Sequence, residues 1–213
     1  MVAAPSLASL TDVIPRLHNG DRLNRFEFER RYEADPDVKR AELVEGVVYL
    51  SSPVNHTKHG EPHSGIMMWL GVYGASMAGK VSTGDNSTVR LDLDNDPQPD
   101  ALLRYVVNGT SRLVLGYIEG PPELVVEVAA SSAAIDMHGK KNAYRRNGVR
   151  EYIVWRTEDQ ALDWFALEGG EYVPLVPNEQ GVIASRVFPG LRLAVAKLLS
   201  GDLQGVLEEQ MRP

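Results

Sequence analysis

The chain has 213 residues, 43% of them hydrophobic and 24% charged, which is enough for one domain with a substantial core. Cysteine is absent, which excludes disulfide bonds and thiolate metal sites. The formal net charge of −7 differs from the basic footprint usual in nucleic-acid binders. No apolar stretch approaches the ~18 residues that span a bilayer, and the first residues lack the features of a secretory signal. We therefore expect a cytoplasmic protein with no membrane segment.

Residues 1–22 carry little periodic signal and are predicted to form an N-terminal arm. Residues 23–213 contain no linker, repeat or low-complexity tract, so they are predicted to form a single domain. Phe26, Phe28 and Tyr32 are candidate buried positions of the first helix. The elements predicted up to residue 105 are a helix over 24–32, a strand over 41–50, a helix from Pro62, and strands over 87–93 and 99–105 that form a hairpin.

The second half of the chain begins with an apolar run over 124–129 that is typical of a strand buried on both faces. A helix over 136–147 follows and is ended by Gly148. Strands over 150–156, 161–167 and 171–175 are predicted to form a β-meander, and residues 194–209 a helix. The pattern indicates a mixed α/β fold, with a central mixed β-sheet flanked by helices and extended by the meander.

Glu127 is the most informative residue, because it is the only charged one in the apolar run. A carboxylate without a partner in an apolar interior is costly, so this residue needs a cation, a metal ion or water. A buried structural ion pair is the alternative to a functional carboxylate.

Asp100 follows Pro99 at the entry to a predicted strand, where an aspartate is often only a turn residue. A hairpin followed by a central strand can bring Asp100 and Glu127 onto neighbouring strands. Two carboxylates placed in this way could share one divalent cation. Mg²⁺ prefers such oxygen ligands and keeps several waters, which suits phosphodiester chemistry.

Lys140 shares a helix face with Asp136 and Tyr144, since the three recur at a spacing of four residues. We expect Tyr144 to pack on the sheet and a partly solvated Lys140 to overhang the two carboxylates. Lys141 and Arg145 are expected to face solvent and to contact substrate. An ordinary solvated helix face is the alternative for Lys140.

These pieces together resemble the Uma-two family of restriction endonuclease-like proteins, within the PD-(D/E)XK nuclease superfamily. The resemblance spans roughly residues 25–199. The pieces that carry it are Glu42-Leu43-Val44-Glu45-Gly46, Pro99-Asp100, Glu123-Leu124-Val125-Val126-Glu127-Val128, Asp136 with Lys140 and Tyr144, Gly148-Val149-Arg150-Glu151-Tyr152, and Phe188-Pro189-Gly190-Leu191.

The resemblance implies a restriction-endonuclease-like fold and hydrolysis of DNA with Mg²⁺, with Mn²⁺ as an alternative. Asp100 and Glu127 would hold the metal. The superfamily's lysine two residues after the glutamate is replaced by Ala129 in this chain, and Lys140 on the following helix would take its place. Only the ammonium position matters for stabilising charge on the phosphate.

Two further residues match the family. Glu42 is a candidate third acid, with a structural ion pair as the alternative, and His59 is a candidate substrate contact near the mouth of the site.

A zinc site using His59 and His63 is rejected, because the glutamate stands one place late and Pro62 interrupts the required helix.

The leading hypothesis is therefore a metal-dependent endodeoxyribonuclease, a hydrolase that acts on ester bonds. A homodimer is expected, because cleavage of both strands normally needs two active sites. A non-catalytic nucleic-acid- or protein-interaction module that keeps the fold is the second hypothesis, favoured by the net charge of −7. A two-carboxylate hydrolase of sugars is disfavoured, because it would need an open cleft rich in aromatic residues.

Overall fold

The computed structural model describes residues 13–212, so the first twelve residues of the predicted arm lie outside the described residues. Within this range no helix is both long and apolar enough to cross a bilayer. The strands are β1 (Ala41–Val44), β2 (Val47–Leu50), β3 (Val81–Asp85), β4 (Val89–Arg90), β5 (Ala101–Tyr105), β6 (Arg112–Val114), β7 (Tyr117–Glu119), β8 (Leu124–Ala129), β9 (Glu151–Arg156), β10 (Ala161–Glu168), β11 (Glu171–Pro174), β12 (Val182–Ala184) and β13 (Arg192–Ala194).

The helices flank a mixed sheet, as predicted. Two of them directly follow π-helical turns, His56–Gly60 before α2 and Asp136–Lys140 before α4. Such turns occur often at functional sites. The helices are α1 (Arg25–Ala34), α2 (Glu61–Ser76), α3 (Ala133–Ile135), α4 (Lys141–Asn147), α5 (Val195–Leu199) and α6 (Leu203–Gln210).

The main sheet has six strands in the order β11-β10-β9-β8-β5-β3. Only β8 and β9 run parallel to each other, and the other neighbours are antiparallel. The prediction that 124–129 is a central strand is confirmed, because β8 has β5 on one side and β9 on the other. The predicted meander is also confirmed as β9, β10 and β11.

The two faces of β8 are covered by different helices. Val126 and Val128 pack into the largest core cluster together with Trp69 of α2. Val125 packs on the opposite face with Tyr144 of α4. Because side chains alternate along a strand, Glu127 faces the same side as Val125, beneath the π-helical turn and α4.

Residues 41–50 form a hairpin rather than the single strand predicted. Its turn is Glu45-Gly46, and both residues have positive φ angles, of 52° and 72°. Two consecutive positive φ angles define the tight turn that suits the twist of a two-residue hairpin, and glycine adopts the second without strain. Glu45 is therefore a turn residue.

The predicted hairpin between 87–93 and 99–105 is wrong. Strand β5 instead pairs with β3, and β4 pairs in parallel with β7. The two segments keep single backbone hydrogen bonds, such as the one of 2.9 Å from the Val89 N–H to the Pro97 carbonyl, without forming a strand pair. Asp96 in the connecting segment exchanges two backbone hydrogen bonds with Leu43 of β1, of 2.8 and 3.3 Å. Those long-range bonds are not visible in the local alternation of the sequence.

Two smaller predictions also differ from the structure. Phe26 was predicted to be buried but is 63% exposed, whereas Phe28 is 1% exposed, because only one side of α1 meets the core. The C-terminal helix predicted over 194–209 is split into α5 and α6 at Gly201, whose φ of 77° ends the first helix. Leu17, within the predicted arm, packs with Phe28.

Candidate active site

Asp100 and Glu127 lie opposite each other at one end of the β5–β8 pair. The last paired residues are Ala101 and Val126, so the next position in this antiparallel register places Asp100 opposite Glu127. Residues in this relation share one face, with Cβ atoms ~4.5–5.5 Å apart. The two residues are 4% and 2% exposed. This register supports the predicted placement of both acids on one face.

The carboxylate of Asp100 is held at three points. Its Oδ2 accepts a hydrogen bond of 2.8 Å from the backbone N–H of Val128. Its Oδ1 lies 3.4 Å from His59 Nε2 and 3.5 Å from Arg40 Nη2. Burial by itself raises the pKa of Asp100, but the contacts with His59, Val128 and Arg40 outweigh it and lower the pKa below its ordinary value. Asp100 is therefore ionised.

The carboxylate of Glu127 has a different environment. Its Oε1 accepts a hydrogen bond of 2.8 Å from the Tyr144 hydroxyl and lies 3.2 Å from Lys140 Nζ. Burial raises the pKa of Glu127 well above its ordinary value, against the opposing charge of Lys140, and nearby carboxylates including Asp100 raise it further. The predicted rise is confirmed.

Lys140 stands between three carboxylates. Its Nζ lies 2.9 Å from Glu42 Oε1, 3.2 Å from Glu127 Oε1 and 3.6 Å from Asp136 Oδ1. Burial by itself lowers the pKa of Lys140, but the three acids raise it above its ordinary value, so the ammonium stays charged. Its position near the acids is as predicted. The expected partial solvation is wrong, because Lys140, the last residue of the π-helical turn, is only 5% exposed.

Glu42 holds Lys140 in place rather than lying free. The Glu42 carboxylate also accepts a hydrogen bond of 2.6 Å from the backbone N–H of Gln98. Arg40, which the sequence reasoning missed, donates a hydrogen bond of 2.5 Å to the Gln98 carbonyl and pairs with Asp100. The sequence contained a signal for Arg40. Residues two apart in a strand point to the same side, and Arg40 precedes the candidate acid Glu42 by two positions.

His59 reaches the site from the π-helical turn before α2. Its Nδ1 lies 2.9 Å from the Val128 carbonyl, so this nitrogen carries the proton and donates to that carbonyl. Its Nε2 faces Asp100. The hydrogen bond with Asp100 raises the pKa of His59 above its ordinary value, against the effect of burial. His59 therefore contacts Asp100 directly and the backbone of Val128, which follows Glu127. It lies among the site residues and not at the mouth of the site, where it was predicted.

Lys141 and Arg145 were predicted to face solvent, and both are only partly exposed. The Lys141 ammonium lies 3.5 Å from the centroid of the Phe165 ring, and the residue is half-buried. Arg145 donates hydrogen bonds to the Gly170 carbonyl and to Asn142 Oδ1, of 2.8 and 3.0 Å. Because α4 lies close on the sheet, both side chains bend back onto the protein. Neither is a freely extended arm for substrate.

The charges of the site residues indicate whether a divalent metal ion would suit the site. Four carboxylates, belonging to Glu42, Asp100, Glu127 and Asp136, face two side chains with permanent positive charge, Arg40 and Lys140. If all four carboxylates are ionised, two negative charges are left over, which one divalent cation would neutralise. Across residues 13–212 no three histidine, aspartate or glutamate side chains already enclose one ion position. Mg²⁺ commonly uses one or two carboxylates and keeps several waters, so the oxygen donors of Asp100 and Glu127 fit it.

Comparison with known proteins identifies the family. The model of the Uma2 family, described as "Putative restriction endonuclease", matches residues 26–196. Among solved structures, the chain is similar to a protein from Anabaena variabilis described as "a putative nuclease belonging to DUF820". The TM-score is 0.60 at 14% identity, and the match covers 80% of this chain and 96% of that one. This likeness confirms the nuclease-type fold predicted from the sequence. Comparison with curated proteins gives no match.

Proposed function

This chain belongs to the Uma2 family, and we propose that it is a divalent-metal-dependent endonuclease that hydrolyses phosphodiester bonds of DNA. The observation that carries the proposal is the pair of opposed, buried acids Asp100 and Glu127 in a cluster where four carboxylates face the permanent positive charges of Arg40 and Lys140. Such a cluster is costly to bury unless a cation completes it. The family membership supports a nuclease rather than another use of the cation.

Asp100 and Glu127 would hold Mg²⁺ or Mn²⁺. Such an ion, when bound, polarises a phosphate and lowers the pKa of a bound water. The Val128 carbonyl, next to Glu127, is a further candidate oxygen ligand, and at present it accepts from His59.

The other residues of the site would position and stabilise charge. Glu42 fixes the Lys140 ammonium from one side, which leaves its charge directed at the acids and at a phosphate bound beside them. A fixed positive charge stabilises the negative charge that develops on an attacked phosphate, because little reorganisation is needed. His59 and Arg40 keep Asp100 ionised and correctly oriented.

A plasmid-nicking assay with Mg²⁺, with Mn²⁺ and with EDTA tests the proposal on the wild type, Glu127→Gln and Asp100→Asn. Both variants keep an oxygen that can accept the native hydrogen bond, from Tyr144 or from the Val128 N–H. We expect metal-dependent nicking by the wild type and its loss in both variants. Glu171→Gln, at an exposed glutamate of β11, is the matched control and should nick normally. Nicking that persists in Glu127→Gln would refute the assignment.

A second candidate function is a non-catalytic interaction module. The close contact of Lys140 with Glu127 and Glu42 favours it, because an ion pair can compensate these acids without a metal. Binding of Mn²⁺, followed by the loss of the free-ion electron paramagnetic resonance signal, separates the two. Wild-type protein that binds no Mn²⁺ would support the interaction module. The endonuclease proposal also includes a cytoplasmic location and a homodimer, and analytical ultracentrifugation tests the homodimer.

A further inference from the structure

A cavity of about 460 Å³ opens between the start of α1 and the three-stranded sheet β4-β7-β6. Three arginines line it, Arg25 of α1, Arg90 of β4 and Arg112 of β6, together with Thr110 and Glu119. None of the residues of the carboxylate site lines this cavity. The cavity is therefore a second polar feature of the molecule, for which the proposed catalytic chemistry has no use.

Two of these arginines are mostly buried and incompletely satisfied. The side chains of Arg25 and Arg90 are 19% and 13% exposed. Within residues 13–212 both Nε atoms are buried without a hydrogen-bond acceptor. Their common neighbour Glu29 lies 2.6 Å from Arg90 Nε and 4.0 Å from Arg25 Nε, in a geometry that makes no hydrogen bond. Arg90 is thus ion-paired with Glu29, but neither Nε–H group makes a hydrogen bond, and strain or a bound water or ion accounts for such buried donors in native proteins.

The charges around the cavity favour an anion. The three arginines face two acids, since Glu29 lies behind Arg90 and Glu119 pairs with Arg112 at 3.0 Å. Asp96 lies behind them, and burial, followed by the charge of Glu29, raises its pKa to about 7. Below that pH Asp96 is neutral, so the group keeps a positive charge on a chain whose net charge is −7.

The geometry of Arg90 suits a planar, two-point contact. Its guanidinium carbon lies 4.1 Å from the centroid of the Tyr117 ring, a stacking that holds the plane of the group fixed. A guanidinium held in this way matches the oxygens of a phosphate, which it can contact through two parallel hydrogen bonds. Phosphate contacts of this kind position a nucleic acid without reading its sequence.

We propose that this cavity binds a phosphate group of the nucleic-acid substrate through Arg25, Arg90 and Arg112. The choice of nucleic acid as the source of the phosphate rests on the proposed function. The cavity would grip the sugar-phosphate backbone outside the carboxylate site. It takes over the role of substrate contact predicted for Lys141 and Arg145, whose side chains contact other parts of the protein.

The test measures DNA affinity without cleavage. Fluorescein-labelled duplex and single-stranded oligonucleotides are titrated in EDTA at several KCl concentrations, with the wild type, Arg25→Gln and Arg112→Gln. Each lost phosphate contact should reduce the slope of log K against log salt by about 0.9 and weaken binding at every salt concentration. Arg186→Gln is the matched control, since Arg186 is an exposed, ion-paired arginine that does not line this cavity. Circular dichroism verifies that each variant is folded.

Inorganic phosphate is the second probe, because free phosphate and a nucleic-acid phosphate share the same chemistry. Shifts of the arginine Nε–H resonances of Arg25 and Arg90 on its addition would report binding in the cavity.

If Arg25→Gln and Arg112→Gln both keep the wild-type affinity and the wild-type slope of log K against log salt, the proposal is overturned. Phosphate binding without oligonucleotide binding would overturn the assignment to nucleic acid and identify a small phosphorylated ligand. Weaker binding in the cavity variants, with a wild type that never cleaves, would support this inference while refuting the proposed endonuclease.

Discussion

The ammonium of Lys140 lies 3.2 Å from Glu127 Oε1, and both side chains are almost completely removed from solvent. This contact joins the strand that carries the acid to the helix that covers it. It also ties the stability of the fold to the residue on which the proposed chemistry depends.

Lys140→Ala is expected to destabilise the protein. Removing one partner of a buried ion pair leaves its acids without compensation, which costs about 3–5 kcal/mol. Lys141→Ala, one residue further along, removes only a cation–π contact worth about 0.5–1 kcal/mol. Urea denaturation of both variants measures the difference in the free energy of unfolding. Equal, small losses in the two variants would show that Lys140 does not bear the charge of the cluster.

The same two variants should differ in cleavage under conditions where both are folded. Loss of a preorganised charge beside the phosphate is expected to reduce the single-turnover rate by about 10²–10³-fold in Lys140→Ala. Lys141→Ala should leave that rate unchanged, because its ammonium lies over Phe165 rather than at the acids. A larger rate loss in Lys141→Ala would contradict the assignment of the catalytic lysine.

Tyr144→Phe removes the hydroxyl that donates to Glu127 Oε1 at 2.8 Å. The free energy of unfolding should fall by about 1.5–3 kcal/mol, as for a hydrogen bond to a charged group. In the background of Glu127→Gln the same change should cost less, since the acceptor is then neutral. A double-mutant cycle by chemical denaturation measures this coupling, and a coupling of zero would mean that the hydrogen bond contributes nothing.

Metal binding should stabilise the folded protein. An ion that binds only the folded state adds about 2.7 kcal/mol at a concentration one hundred times its Kd. Asp100→Asn should lose this gain, although its side-chain oxygen can still accept from the Val128 N–H. Thermal denaturation with Mn²⁺ or with EDTA measures the effect, and Asp94→Asn at an exposed turn is the control. A melting temperature of the wild type that does not respond to metal would count against the site.

Asp96 should make stability fall between about pH 4 and pH 7. Burial raises its pKa in the folded state from 3.8 to about 7. The favourable contribution is therefore complete below pH 3.8 and is lost as the pH rises through 7, at a total cost of the order of 4 kcal/mol. Asp96→Asn should gain stability relative to the wild type at pH 8 but not at pH 4. Urea denaturation at the two pH values measures this, and a difference that does not change with pH would contradict it.

The sequence by itself determined the central strand and its acid. An apolar run of strand length with one carboxylate can be buried only if the carboxylate has a partner, and β8 with Glu127 has this arrangement. The four-residue spacing of Asp136, Lys140 and Tyr144 also predicted all three on the site face, and they lie there although residues 136–140 form a π-helical turn instead of the predicted α-helix.

Only the tertiary structure decided which side chains remain available to contact a substrate or a metal ion. The pairing of β5 with β3 and the approach of His59 and Arg40 to Asp100 depend on contacts between residues far apart in the sequence. The surroundings of Lys141 and Arg145 also depend on tertiary packing. Their charges predict a free basic face, but in the structure Lys141 lies over Phe165 and Arg145 donates to the Gly170 carbonyl. Local periodicity sets the direction of a side chain from its own element. Whether solvent, an acid or an aromatic ring lies in that direction depends on how the elements pack together.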